Sequence, residues 1–191
     1  MQDSVKTAFF NYTQNQSPEN FLCFRDAVAA SPDYSPYSDY KETVYDLIEN
    51  EKFKQAKEYM MSVMPIWFFN PGIHELISFV LHELGEEKEA QIEFQLAMLL
   101  LDGILSTGDG SKKRPYLVLS VSDEYDVIEH FDKKVTMQSL VNEGNIQCDL
   151  MEFDDKTSMY FDITVPYSNF GKQLNPDEDE PGKKKKWWKL W

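Results

Sequence analysis

Three carboxylates lie within residues 123 to 126, directly after a short apolar run of the kind that forms strands. Paired carboxylates can act as general acid and base when their surroundings separate their pKa values. Asp109, Asp123 and Glu124 could then serve a hydrolase or transferase in a cleft between two halves of the molecule. The same cluster is also typical of an acidic first helical turn, with Ser122 or Asp123 as N-cap. We favour the capped helix.

Gly108, Asp109 and Gly110 form a second candidate site, a glycine-rich loop before the first predicted strand. Such a loop can point backbone amides at a phosphate, and Asp109 could bind a hard cation. However, the loop lacks the length and the lysine of a P-loop and the ligand series of a calcium loop. We therefore predict a helix C-cap at Gly108 and a tight turn, with Asp109 accepting backbone hydrogen bonds that join the two halves.

The spacing of histidines and cysteines does not support metal or nucleophilic chemistry. His74 and His82 share a predicted helix but lie eight residues apart, whereas a zinc metallopeptidase helix needs a spacing of four. Cys23 and Cys148 lack a neighbouring histidine, and each is expected to be a small buried hydrophobe. We predict no metal, no cofactor and no enzymatic activity. Two free thiols suit a reducing compartment, and one disulfide stays open as an alternative.

Trp67, Phe68 and Phe69, between Pro65 and Pro71, form the densest aromatic cluster before the C-terminus. Aromatic side chains in a loop between helices can anchor a protein partner. They can also fill the space between packed helical hairpins. We favour the structural role and keep partner binding as the alternative.

The C-terminal segment combines lysine with tryptophan. Its members are Lys183, Lys184, Lys185, Lys186, Trp187, Trp188, Lys189 and Trp191. Lysines attract anionic headgroups, and tryptophans favour the membrane interface, so this segment predicts weak contact with an anionic membrane. Folding of the segment onto the acidic body, binding to a partner and the absence of any role stay open as alternatives.

The charge balance restricts the partners. The chain carries 33 acidic and 19 basic residues and a formal net charge of −14. Such an acidic body repels phosphate backbones, which excludes nucleic-acid binding by the body. A basic protein partner would be attracted, although ordinary solubility is the explanation of the charge that we favour.

A repeat of 34 residues indicates how the central part is built. Three pairs of residues share this spacing: Ala56 with Ala90, Met60 with Phe94, and Val63 with Ala97. A small residue followed by apolar residues four and seven positions later forms one helical stripe. The period and the pattern predict tetratricopeptide-like helical hairpins, which usually bind other proteins.

We predict an α+β fold, in which tetratricopeptide-like N-terminal hairpins pack on a small, mostly antiparallel C-terminal sheet. The segments are a helix with a Pro/Tyr connector (1–37), the helical part (38–106), the β-rich part (107–170), and an acidic linker with the basic tail (171–191). Strands are expected at 116–121, 135–141, 146–153 and 159–165.

The chain also resembles an uncharacterised bacterial family, domain-of-unknown-function family 4919. The similar stretches are 24–25, 32–37, 104–111, 118–125, 148–151 and 160–164. The resemblance implies a helical half before a small sheet, and it implies no activity. Members often carry a secretion signal; the N-terminus here shows no basic segment followed by an apolar one, so a cytoplasmic protein is expected.

The most specific function that these features favour is a non-enzymatic, acidic protein-binding adaptor. A narrower form is an immunity-type protein that covers a basic toxin, since high acidity and small size suit fast, electrostatically steered capture. The tail could hold either form at the inner membrane surface.

Overall fold

A computed structural model describes residues 2–36 and 40–174 of the chain. Six helices come first: α1 Asp3–Gln14, α2 Pro18–Ala29, α3 Lys41–Glu49, α4 Phe53–Trp67, α5 Pro71–Glu83 and α6 Glu87–Ser106. The remaining elements are β1 Tyr116–Leu117, α7 Val121–His130, β2 Val135–Glu143, β3 Ile146–Phe153, β4 Ser158–Asp162 and α8 Thr164–Leu174. With helices first and the sheet after them, the fold is α+β, which confirms the predicted class.

The first six helices form successive antiparallel pairs. In the α5–α6 pair, the His74 side chain contacts Glu93, and the Ser78 hydroxyl donates to the Ala90 carbonyl at 2.8 Å. The positions along α6 therefore fall as those along α5 rise. Aromatic rings pair in the same way between α1 and α2, and Tyr12 packs edge-on against Phe21 with ring centroids 5.4 Å apart.

The 34-residue repeat recurs in the backbone hydrogen bonds of the turns. Between α3 and α4, the Lys52 amide donates to the Leu47 carbonyl at 2.8 Å. Between α5 and α6, the Glu86 amide donates to the Leu81 carbonyl at 2.9 Å. Each bond reaches back across a helix C-terminus, as in a Schellman motif. The two hairpins therefore have the same turn, 34 residues apart.

The residue before each of these amides adopts the left-handed conformation. Glu51 has a φ of 55° and Gly85 a φ of 76°. Ala56, Ala90 and Met60 are buried as the repeat requires. Phe94, predicted to be the counterpart of Met60, is half exposed, so the stripe is incomplete in the second hairpin. A relation to tetratricopeptide repeats stays a prediction.

The sheet has four strands in the order β1-β4-β3-β2. β2 pairs antiparallel with β3 and β3 with β4, while β1 lies parallel to β4, so the sheet is mostly antiparallel as predicted. The first strand covers only Tyr116–Leu117, because Ser120 already caps the next helix. Buried Met151, Phe153 and Phe161 of the sheet join the same apolar core as the helices.

Candidate functional site

The start of α7 is fixed by a capping box. The Ser120 hydroxyl accepts a hydrogen bond from the Asp123 amide at 3.2 Å, and the Asp123 carboxylate accepts one from the Ser120 amide at 3.0 Å. Reciprocal bonds of this kind satisfy two amides that a helix start otherwise leaves free. The capped acidic helix is therefore present, but its cap is Ser120, and the expectation of Ser122 or Asp123 was wrong.

Asn70 lies at the centre of a buried polar cluster that joins α3, α5 and α7. Its side-chain amide donates to Asp123 and Asp126, each at 2.7 Å. Its side-chain oxygen accepts from the Ile73 amide at 3.1 Å, as the N-cap of α5, and from the Tyr40 hydroxyl. Asn70 is 0% exposed, and these four bonds use its full donor and acceptor capacity.

Asp126 binds both helices of the first half that face it. Its carboxylate accepts from the Gly72 amide at 3.0 Å and from the Lys41 ammonium at 2.9 Å. A Cβ at Gly72 would lie 2.6 Å from the Asp126 oxygen, so only glycine permits this approach. We call this set, with Tyr40, Asn70, Ser120 and Asp123, the polar junction.

The junction shifts the ionisation of its members. Burial, and then the charge of Asp126, raise the pKa of Asp123 to about 6, although bonds from Asn70, Leu119 and Ser120 oppose the shift. Burial by itself lowers the pKa of Lys41, yet the Asp126 carboxylate outweighs it and raises that pKa overall. The junction thus fixes the ionisable side chains of Lys41, Asp123 and Asp126 through hydrogen bonds between α3, α5 and α7.

Glu124, the residue after Asp123, is buried close enough to Asp149 of β3 to be affected by its charge. It is 0% exposed, and neither carboxyl oxygen has a hydrogen-bond partner within the described residues. Burial raises the pKa of Glu124 well above its usual range, and the charges of Asp149 and Asp123 add to the shift. Asp149 differs because it accepts a bond from the Gln138 amide at 2.7 Å.

Asp109 does not join the other two carboxylates in an open cleft. It lies exposed in the loop between α6 and β1, where it accepts from the Ser111 amide at 3.0 Å and pairs with Arg114 at 3.5 Å. The loop is tied to the sheet by the Gly110 carbonyl, which accepts from the Tyr160 amide at 2.9 Å. Asp109 itself accepts no bond from the other half, within the described residues, and the C-cap of α6 is Thr107 instead of Gly108.

The aromatic cluster at the C-terminal end of α4 lies in the core. Trp67 and Phe69 are buried and Phe68 is half-buried. The Trp67 ring packs against Tyr40 with centroids 4.9 Å apart, and Phe69 packs against Tyr34 at 5.9 Å. These contacts agree with the structural role that we favour, and they leave little of the three side chains for a partner.

A surface groove runs along α6, on a side that the sequence did not single out. Its apolar lining is Ile92, Phe94, Leu96, Met98 and Leu99. Gln16, Gln95 and Asp102 supply its polar edge, and its volume is about 460 Å³. We call it the α6 groove. The one signal in the sequence was that the second half of α6 carries apolar residues on several sides.

The other predicted site residues fall into two groups. Cys148 is buried as expected, whereas Cys23 is exposed, and neither forms a disulfide. The tail residues Lys183–Lys186, Trp187, Trp188, Lys189 and Trp191 lie outside the described residues.

Within residues 2–36 and 40–174, no group of His, Cys, Asp and Glu side chains is arranged to hold a metal ion. In the same part of the chain, no helix combines the length and apolar character that a membrane crossing requires.

Comparison with known proteins gives a family without an assigned activity. Neither curated proteins nor solved structures give a significant match to the chain. The family described as "Domain of unknown function (DUF4919)" matches residues 27–171, well over half of the chain. This range begins within α2, and it contains the polar junction and the whole sheet. The chain therefore belongs to the DUF4919 family.

Proposed function

We propose that the protein is a non-enzymatic, acidic adaptor that binds a basic protein partner. The observation that carries the proposal is the α6 groove, an exposed apolar surface on an acidic chain. Ile92 is 57% exposed and Phe94 is 50% exposed. Single exposed apolar residues are common, but contiguous ones between charged rims are typical of interaction surfaces.

Charge at both ends of the groove defines the chemistry of the partner. Glu89 lies three residues before Ile92, on the same side of α6, and it is exposed. Asp102 lies three residues after Leu99 and lines the other end. A segment with a few apolar side chains and flanking lysines or arginines would match this pattern, and the net charge of −14 would speed its encounter.

Two narrower forms belong to the same proposal. An immunity-type role requires that the basic partner is a toxin domain, and a toxin gene directly upstream would support it. A cytoplasmic location at the inner membrane surface requires that the tail binds anionic lipid. The hydrolase or transferase alternative is supported by the raised pKa values of Asp123 and Glu124. It is weakened by the burial of both carboxyls, which are shielded from solvent.

The test compares three forms of the full chain in affinity capture from native lysate, followed by mass spectrometry. Phe94→Lys places a positive charge in the groove, and Ile146→Lys makes the same change at a side chain of β3 that is 44% exposed. We expect one stoichiometric basic protein with the wild type and with Ile146→Lys, and its loss with Phe94→Lys. Equal recovery by all three forms, or no basic partner for any, would contradict the proposal.

A further inference from the structure

We propose that the α6 groove is occupied, when no partner is bound, by the chain's own segment Lys183–Trp191. The inference concerns regulation of the proposed binding surface, so its meaning rests on the proposed function. Its physical content, a contact within one chain, can be tested without any partner.

The apolar side chains of the segment match the groove in kind and spacing. Trp187 and Trp191 lie four positions apart, a spacing that would place both on one side if the segment were helical, and Trp188 adds a third indole beside them. Each indole can bury about 150–250 Å² on a suitable surface. A groove of about 460 Å³ between Ile92 and Leu99 offers room for such rings.

Charge favours this segment over a second copy of the chain. Five lysines lie within Lys183–Lys189, and they would meet Asp102 in the lining of the groove and the exposed Glu89, three residues before Ile92 on α6. Two copies that met through this face would instead bring together two chains of net charge −14.

The connecting chain can span more than the radius of gyration of the folded domain. Residues 175–182 separate the end of α8 from the first lysine, and eight extended residues span about 26–29 Å. A domain of this size has a radius of gyration of about 16 Å. Short tethers also give an effective concentration in the millimolar range, so even weak binding would be largely saturated.

The experiment is acrylamide quenching of tryptophan fluorescence in the full chain. Three of the four tryptophans belong to the tail, and the fourth, Trp67, is only 2% exposed and gives a constant background. We expect the quenching constant of the tail tryptophans to be lower by about threefold or more than in a free peptide of residues 182–191. Quenching equal to that of the peptide would overturn the inference.

Groove variants identify where the tail is held. Phe94→Lys and Ile92→Lys should raise quenching to the level of the peptide and shift the emission to longer wavelength. Ile146→Lys, which adds the same charge on the sheet, should behave like the wild type. Because both groove residues are exposed, unchanged helical circular dichroism is expected for all three variants. Protection that survives both groove variants would place the tail elsewhere and contradict the proposal.

Two further measurements separate this contact from its competitors. Protection that rises with protein concentration, together with a doubled mass in sedimentation, would show exchange between two copies and reject the intramolecular contact. Protection that appears only after addition of phosphatidylglycerol vesicles would show membrane binding and reject it equally. Concentration-independent protection of a monomer without vesicles supports it.

Failure of the intramolecular contact can be distinguished from failure of the proposed adaptor function. A tail that is freely quenched, together with a partner that Phe94→Lys loses, would reject only the intramolecular contact. A protected tail without any basic partner, with or without residues 182–191, would reject only the adaptor.

Discussion

At the scale of single residues, Glu124 is the least satisfied group that the structure describes. Most buried carboxyls accept several hydrogen bonds, and an unpaired one is costly when ionised. Asp123, its neighbour, accepts bonds from the Leu119 amide at 2.8 Å and from Ser120 and Asn70. The same run of acidic residues thus contains one carboxyl bound by hydrogen bonds and one that is buried without a hydrogen-bond partner among the described residues.

The raised pKa of Glu124 predicts a pH-dependent gain from Glu124→Gln. Because the folded chain keeps the proton where the unfolded chain releases it, stability falls as pH rises from the ordinary value of 4.5 towards the folded pKa. Glutamine has no proton to release. We expect the advantage of the variant in Tm to grow between pH 5 and pH 8, reaching about 2–4 °C, the effect of about 1 kcal/mol in a domain of this size.

Thermal unfolding followed by circular dichroism at both pH values measures this difference. Glu58→Gln, at an exposed position of α4, is the matched control and should show the same small difference at each pH. The shifts of Asp123 and Asp149 are present in both proteins and cancel in the comparison. A pH-independent advantage for Glu124→Gln would mean that its carboxyl is not the group responsible.

At the scale of elements, the sequence predicted those helices and strands whose formation depends on local apolar spacing and turn residues. The strand at Ile146–Phe153 and the helix before Gly85 follow from apolar spacing and turn residues, and both are present. α1 was missed because polar residues dominate its sequence, and the pairing of Phe9 and Tyr12 with α2 stabilises it. Such tertiary contacts override weak local signals.

The polar junction could not be predicted from the sequence, because it too depends on tertiary contacts. Asn70 followed by Pro71 is a recognisable helix start, and the acidic run at residues 123–126 was noticed. Nothing local indicates that these two segments, more than 50 positions apart in the chain, share hydrogen bonds. Likewise, the exposure of Phe94 depends on which neighbouring helix covers α6, and its spacing alone predicted a core residue.

The repeated turn gives a prediction about two equivalent residues. Glu51 holds the left-handed conformation that Gly85 holds in the second hairpin, and a side chain there is strained by about 1 kcal/mol. Glu51→Gly should therefore stabilise the protein by about 0.5–1 kcal/mol, although glycine is usually destabilising. Gly85→Ala should cost about 1 kcal/mol through the backbone alone, because no atom lies within 4 Å of the added Cβ.

Urea unfolding monitored by circular dichroism gives both free energies. Opposite signs for the two substitutions would confirm that the turns are conformationally equivalent. A loss of stability in Glu51→Gly would show that its left-handed conformation is not maintained in solution, and the 34-residue repeat would then be confined to the sequence.

At the scale of the whole molecule, the helices and the sheet should unfold together. One apolar core includes Val5 of α1 and Phe161 of β4. The polar junction then binds α3 and α5 to α7, so neither half can separate without exposing buried charges. In hydrogen exchange, α5 and β3 should therefore open with the same free energy.

Asn70→Ala tests this coupling, since the side chain serves four partners in three elements. The substitution removes the N-cap of α5 and leaves the Tyr40, Asp123 and Asp126 groups short of a partner, which should cost about 3–5 kcal/mol. Asn50→Ala should change stability by less than about 0.5 kcal/mol, because this exposed side chain donates to the Asp46 carbonyl and carboxylate and to no other group in the described part of the chain. Because the junction belongs to both halves, protection of α5 and β3 should fall by equal amounts in Asn70→Ala. If β3 kept its wild-type protection while α5 lost its own, the helical and β-rich parts would be independent folding units, and the junction would be only a contact between them.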